Sequence, residues 1–147
     1  MKFLSQAHSI YKCRYHIIWI PKYRRKVLVT GVDKYLEKVI RSYLSENYPD
    51  VIIRQCSIQP DHIHALWEIP PKYSVAKVIG DVKANSARLM RQNFEYLRRC
   101  RNFWSVGYFV STVGTNETII TDYIRNQERQ DKGRASLVLG QETTGGA

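Results

Sequence analysis

Long apolar runs, paired cysteines and nucleotide-binding glycine motifs are all missing from this chain of 147 residues. No stretch of about 18 apolar residues occurs, so we expect no segment to span a membrane. The start of the chain lacks an apolar core with a cleavage site, so no signal peptide is predicted. The three cysteines, at positions 13, 56 and 100, are too few and too far apart for a disulfide framework or a zinc knuckle. The missing G-x-x-x-x-G-K-[ST] motif argues against a nucleotide cofactor.

Positive charge is abundant, with a formal net charge of +10 and a pI near 9.7. It is also unevenly placed, because residues 1–30 contain lysines and arginines and no acid. Such clustering favours a polyanionic partner, most often nucleic acid. The alternative is a solvated basic surface that only keeps the protein soluble. An anionic membrane is a weaker candidate, because no basic stretch carries a broad apolar helical face.

Hydrophobic periodicity divides the chain into strands and helices. The predicted order is strand 11–20, a basic connection with a short strand at 26–29, helix 32–48, strands 51–59 and 62–69, helix 74–93 capped by Ser74, strand 105–114, and helix 115–133 stopped by Gly133. This β-α-β-β-α-β order with one more helix predicts an α+β, ferredoxin-like (RRM-like) fold, with an antiparallel sheet and helices on one face. Residues 1–133 are predicted to form a single domain, and residues 134–147 a flexible tail.

Two histidines, His62 and His64, lie one residue apart in the strand "HIHALWEI". Side chains alternate across a strand, so both imidazoles share one face while Ile63 and Ala65 share the other. Two adjacent imidazoles form a natural half of a metal site. The alternative is a pair of half-exposed polar residues on the open face of the sheet.

The last predicted helix offers two polar residues that could complete such a site. Tyr123 and Gln127 are one turn apart and therefore share a helix face. An amide oxygen can serve as a third metal ligand, and a tyrosine beside it can serve as a nucleophile. The alternative is a packing aromatic next to an exposed helix former.

Four segments in this order carry a resemblance to a known family: "YHIIWIPKYRRKVL", "PDHIHALWEIPPKYSVAKVIGDVKANSA", "FWSVGYFVSTVG" and "ITDYIRNQ". Together they resemble the small single-strand DNA transposases of insertion sequences, the two-hundred/six-hundred-five group of the HUH endonuclease superfamily. The resemblance covers roughly residues 10–131. It implies that His62, His64 and Gln127 bind a divalent cation, Mg²⁺ or Mn²⁺, and that Tyr123 is the single catalytic nucleophile.

The resemblance also implies the reaction and the partners. The expected activity is cleavage and rejoining of single-stranded, hairpin-bearing element ends through a 5′-phosphotyrosine, without a nucleotide cofactor. A homodimer is expected, in which the tyrosine helix of one chain completes the histidine site of the other. The expected location is the prokaryotic cytoplasm, at the nucleoid when the protein is bound to DNA.

Seven basic residues are candidate contacts to DNA phosphates, since they follow the first strand or lie on the second helix: Lys22, Arg24, Arg25, Lys26, Lys83, Arg88 and Arg91. Two other functions stay open at this point. One is a host-domesticated endonuclease of the same superfamily that cuts repeat hairpins. The other is a non-catalytic module that stacks single-stranded nucleic acid on its open sheet face. The module would explain the charge but would not explain the histidines.

Overall fold

The computed structural model describes residues 13–112 and 116–145, with side chains as far as residue 133. The elements are β1 (Arg14–Trp19), a 3-10 turn (Lys22–Arg24), α1 (Val32–Asn47), β2 (Ile52–Gln59), β3 (His62–Glu68), α2 (Val75–Asn93), a 3-10 turn (Glu95–Leu97), β4 (Phe109–Ser111) and α3 (Glu117–Gly145). The sheet order is β2-β3-β1-β4, and every neighbouring pair is antiparallel. The predicted α+β class is confirmed, and the strand order is consistent with the ferredoxin-like plan.

One face of the sheet forms the main core. Ile17 and Trp19 on β1 face Ala65 and Ile63 on β3, and all four side chains are fully buried. The buried faces of α1 and α2 pack into the same cluster, through residues such as Leu36, Ile40, Val78 and Ile79. Burial of each large apolar side chain contributes about 1.5–3 kcal/mol. The strands are therefore held with their opposite face turned away from α1 and α2.

Helix α2 begins where the sequence predicts. The Ser74 side chain accepts a hydrogen bond from the backbone N–H of Lys77 at 3.2 Å, which satisfies one of the unpaired amides of the first turn. The helix then runs to Asn93 with Val78 and Val82 buried. This cap fixes the start of the helix that carries Lys83.

Two strand predictions are wrong in extent or existence. No strand forms at residues 26–29; Leu28 is buried there, and its N–H makes a single bond to the Pro60 carbonyl rather than a ladder. Of the strand predicted at 105–114, only Phe109–Ser111 forms among the described residues, and positions 113 and 114 lie outside them. Gly107 adopts a φ of 91°, which interrupts the extended run before β4.

Helix α3 does not end at Gly133 but continues to Gly145. A glycine ends a helix by adopting a positive φ, and Gly133 is not among the described glycines that do so. A glycine inside a helix costs only about 1 kcal/mol relative to alanine, so it does not force a stop. The flexibility of residues 134–147 stays a prediction. No helix in the described ranges is both long and apolar enough to cross a membrane.

Candidate active site

The histidine pair lies on the sheet face that α1 and α2 leave uncovered. His64 is paired with Ile18 on one side and with Ser57 on the other, and His62 is paired with Gln59. Both imidazoles are half-buried, whereas Ile63 is fully buried on the core face, as the strand alternation predicts. The sheet therefore presents two imidazoles, side by side, away from the core.

A third imidazole, His16, adjoins this pair. Its Nδ1 lies 3.5 Å from Nε2 of His64, and the two ring centroids are 5.7 Å apart. Burial lowers the pKa of His64, and the charges of His16 and His62 lower it further. His64 is therefore a neutral imidazole at neutral pH, the form that can ligate a metal. His16 was not predicted as part of the site, although it precedes Ile18 by two residues and therefore shares its sheet face.

Asp61 holds His62 at the start of β3. Its Oδ1 lies 2.9 Å from Nδ1 of His62, while its Oδ2 accepts a hydrogen bond from Nε of Arg24 at 2.8 Å. Burial alone would raise the pKa of Asp61, but the hydrogen bonds with His62 and Arg24 outweigh it and lower that pKa. Arg24 also reaches Glu128 on α3 at 3.5 Å. These contacts link the histidine strand to the tyrosine helix.

Tyr123 lies on the face of α3 that packs onto the histidine side of the sheet. Its ring contacts Phe109 with centroids 5.7 Å apart, in a small apolar cluster that includes Ile18, Ile20 and Ile124. The hydroxyl is buried and has no hydrogen-bond partner among the described residues. Burial raises the pKa of Tyr123 well above its ordinary value, and the charge of Asp131 adds to the effect. In this position the phenol stays protonated.

Gln127 lies one turn beyond Tyr123 and is buried rather than solvated. Its amide nitrogen donates to Ser105 Oγ at 2.7 Å and to the Val106 carbonyl at 2.9 Å. Ser105 in turn donates to Asp131, one further turn along α3 and fully buried. The amide oxygen of Gln127, the atom that would bind a metal, takes part in neither of these two hydrogen bonds.

The available ligands fit a divalent cation bound by imidazole and amide groups. The described part of the chain contains no cluster of three or more His, Cys, Asp or Glu side chains able to hold a metal. The amide oxygen of Gln127 is the candidate for a third ligand besides His62 and His64. The structure brings Gln127 and both histidines to the same side of the sheet.

The seven candidate DNA contacts differ in whether their side chains bond to other protein groups and in how exposed they are to solvent. The Lys83 ammonium donates to the Ser105 and Gly107 carbonyls, and burial lowers its pKa to about 8, against the opposing effect of Asp131. Arg24 is engaged by Asp61 and Glu128. The side chains of Lys26 and Arg88 are exposed. The remaining three are half-buried: Lys22, Arg25 and Arg91.

Comparison with known proteins assigns the family. A family model described as IS200-like transposase matches residues 9–127, most of the chain. The chain belongs to the IS200-like transposases. The resemblance seen in the sequence motifs is thereby confirmed, and membership implies a DNA-processing enzyme.

Relatives and solved structures of this transposase agree. The chain is 38% identical over 131 residues to the transposase for insertion sequence element IS200 of Salmonella typhimurium, covering 87% of this chain and 85% of the relative. It is 31% identical over 126 residues to the ISDra2 transposase TnpA of Deinococcus radiodurans, covering 83% and 89%. A crystal structure of a candidate transposase from Deinococcus radiodurans R1 matches with a TM-score of 0.70 at 31% identity, covering 80% and 92%.

A second solved structure shows a similar fold in a more distant protein. It is a REP-associated tyrosine transposase bound to a REP hairpin, with a TM-score of 0.54 at 14% identity, covering 74% of this chain and 61% of that one. At this identity the likeness concerns the fold alone.

Proposed function

We propose that this transposase cleaves and rejoins single-stranded insertion-sequence ends, with Tyr123 as the nucleophile. One observation carries the proposal: the helix with Tyr123 and Gln127 packs on the sheet face that bears His62 and His64. The Tyr123 hydroxyl is buried without a hydrogen-bond partner among the described residues, an arrangement that costs stability. This cost is accounted for if the hydroxyl acts together with the two imidazoles and Gln127 on a phosphate.

The tyrosine chemistry follows from the phenolic oxygen. The deprotonated oxygen of Tyr123 attacks the scissile phosphorus, the bond from phosphorus to the 3′ oxygen breaks, and that oxygen leaves with a proton as a free 3′-OH. The 5′ phosphate stays on Tyr123 as a phosphodiester. A 3′-OH can attack this linkage in reverse, which rejoins strands and returns the phenol. Because the bond energy is kept in the covalent link, no nucleotide cofactor is needed.

A divalent cation, Mg²⁺ or Mn²⁺, would be held by His62, His64 and Gln127 and would neutralise charge on the scissile phosphate. The lowered pKa of His64 keeps that imidazole in the neutral, ligating form. Manganese accepts mixed nitrogen and oxygen ligands more readily than magnesium does. On ligand chemistry alone, zinc is the next candidate.

The proposed substrate is single-stranded DNA with a hairpin near each end of the element. The net charge of +10 and the exposed Lys26 and Arg88 support a polyanionic partner. The REP-associated tyrosine transposase, which has a similar fold, is bound to a REP hairpin, a substrate of the proposed class.

We also propose that the active form is a homodimer in which α3 of one chain serves the histidines of the other. The observation behind this proposal is the state of Tyr123 on its own sheet, where its hydroxyl is buried and has no hydrogen-bond partner within the described part of the chain. A buried phenol with a raised pKa is poorly placed to attack. Redocking of α3 on a partner sheet would change those surroundings.

The catalytic proposal is tested by a covalent adduct. Labelled single-stranded element ends are incubated with the protein and Mn²⁺, and a protein–DNA band is sought on a denaturing gel. Tyr123→Phe should bind the DNA and form no band. Tyr43→Phe, a matched change on α1 in the opposite layer, should form the band normally. A band retained by Tyr123→Phe would refute the assignment, and binding without any band in wild type would favour the non-catalytic module.

The dimer proposal is tested by complementation. Tyr123→Phe and His64→Ala chains are mixed and allowed to exchange subunits, so that about half of the dimers are mixed. If α3 acts in the partner, each mixed dimer has one intact composite site, and cleavage should partly recover. No recovery in a mixture shown to have exchanged would place the site within one chain.

A further inference from the structure

Asp61 bridges His62, the first histidine of the pair, and Arg24. One carboxylate oxygen meets Nδ1 of His62 at 2.9 Å and the other meets Nε of Arg24 at 2.8 Å. The Asp61 side chain is only 14% exposed, so water does little to loosen the bridge. We infer that Asp61 and Arg24 are positioning residues that fix the tautomer and direction of His62. This inference rests on the proposed function, because it concerns the nitrogen that His62 offers to a metal.

The tautomer follows from donor and acceptor chemistry. An ionised carboxylate can only accept hydrogen bonds, so the Nδ1 that faces Asp61 carries a hydrogen. In a neutral imidazole the other nitrogen, Nε2, then carries the lone pair. Asp61 therefore presents Nε2 of His62 as the ligating atom. A carboxylate behind a ligating histidine also fixes the ring plane and raises the basicity of the ligand.

The backbone around Arg24 is held in an unusual conformation that directs its side chain. Tyr23 and Arg24 have φ angles of 62° and 55°, a region that residues with a side chain rarely adopt. The turn is held by bonds from the Tyr23 N–H to Asp131 and from the Arg24 N–H to the Pro21 carbonyl. Such conformations persist where the surroundings fix them, often at functional sites. Here the result is a guanidinium aimed at Asp61, with a second contact to Glu128 on the tyrosine helix.

The first test measures the tautomer in the wild-type protein. Nitrogen-15 NMR of histidine-labelled protein without metal distinguishes protonation at Nδ1 from protonation at Nε2. We expect His62 to be protonated at Nδ1. A His62 protonated at Nε2 would overturn the inference, whatever the protein does to DNA.

The second test measures Mn²⁺ affinity without DNA, from the paramagnetic broadening of the histidine signals. Asp61→Ala should bind Mn²⁺ about tenfold to a hundredfold more weakly and should lose the fixed tautomer. Asp61→Asn keeps an oxygen that can accept from Nδ1, so it should retain the tautomer and recover part of the affinity. The control is Glu37→Ala, which breaks the exposed pair with Arg41 on α1 and should change neither readout.

These outcomes separate the inference from the proposed function. Wild-type Mn²⁺ affinity that is unchanged in Asp61→Ala would overturn the inference and leave the metal site standing. Absence of Mn²⁺ binding in wild type would count against the proposed metal site, while the tautomer measurement would still decide the role of Asp61. If Asp61→Ala does not fold, the wild-type tautomer and Asp61→Asn give the answer.

Discussion

Removal of the Tyr123 hydroxyl should stabilise the protein while abolishing cleavage. The hydroxyl is buried without a hydrogen-bond partner among the described residues, beside Phe109 and Ile124. A buried unsatisfied polar group costs about 1–3 kcal/mol, and Tyr123→Phe removes that cost without opening a cavity. We therefore expect the free energy of unfolding to rise by about 1 kcal/mol, which corresponds to about 2–4 °C in Tm at this chain length.

The matched control is the same substitution at a tyrosine whose hydroxyl is bonded. Tyr48 donates to Asp81 at 2.6 Å, so Tyr48→Phe should lower the free energy of unfolding by about 1 kcal/mol. Both variants are measured by urea denaturation and calorimetry, without metal or DNA. Opposite signs are the expected result. A Tyr123→Phe protein destabilised as much as Tyr48→Phe would contradict this expectation, because it would show that the Tyr123 hydroxyl has a hydrogen-bond partner.

Three further outcomes are expected. His62→Ala and His64→Ala should abolish cleavage in the adduct assay with Tm changed little, since both side chains face away from the core; wild-type cleavage that persists in EDTA would contradict the metal scheme. Gln127→Ala should reduce cleavage less than either histidine variant but lower stability by about 1–2 kcal/mol, because it leaves Ser105 and the Val106 carbonyl without the amide; an unchanged urea midpoint would contradict this. The Arg54 hydrogen bond holds the pKa of Glu68 below its ordinary 4.5, so the stability that Glu68 contributes is present above that pH and lost as pH falls through the folded-state pKa. Glu68→Gln should therefore be less stable than wild type at pH 7, and the difference should vanish in acid; a difference independent of pH would contradict it.

Local pattern was sufficient to predict the presence of the three helices and the face that carries the histidines. The period of two along β3 places His62 and His64 opposite Ile63 and Ala65, because adjacent strand residues point to opposite faces. Ser74 as a helix cap was likewise readable, since its acceptor lies three residues from the donor.

The supporting contacts could not be predicted because they join residues that are distant in the sequence. Asp61 is bonded to Arg24, 37 positions earlier, and Tyr23 to Asp131, 108 positions later. The left-handed turn at Tyr23 and Arg24 leaves no local signal, because neither residue type favours that conformation. The helix end predicted at Gly133 was wrong because glycine permits a helix end without requiring one.

The strandedness of the DNA substrate also tests the proposed cleavage of single-stranded ends. Attack by a single tyrosine that faces a protein sheet needs a DNA backbone that can approach without its complementary strand. Single-stranded or hairpin ends should be cleaved, and the same sequence in perfect duplex should be cleaved little. Equal initial rates on both substrates, measured with Mn²⁺ under identical salt, would count against a single-strand transposase.

The site of covalent attachment can be measured directly. Wild-type protein is reacted with single-stranded element ends, digested with protease and nuclease, and analysed by mass spectrometry. We expect a nucleotide attached through its 5′ phosphate to the peptide that contains Tyr123, with the released DNA fragment ending in a free 3′-OH. Attachment to any other residue, or a released fragment ending in a 3′ phosphate, would contradict this expectation.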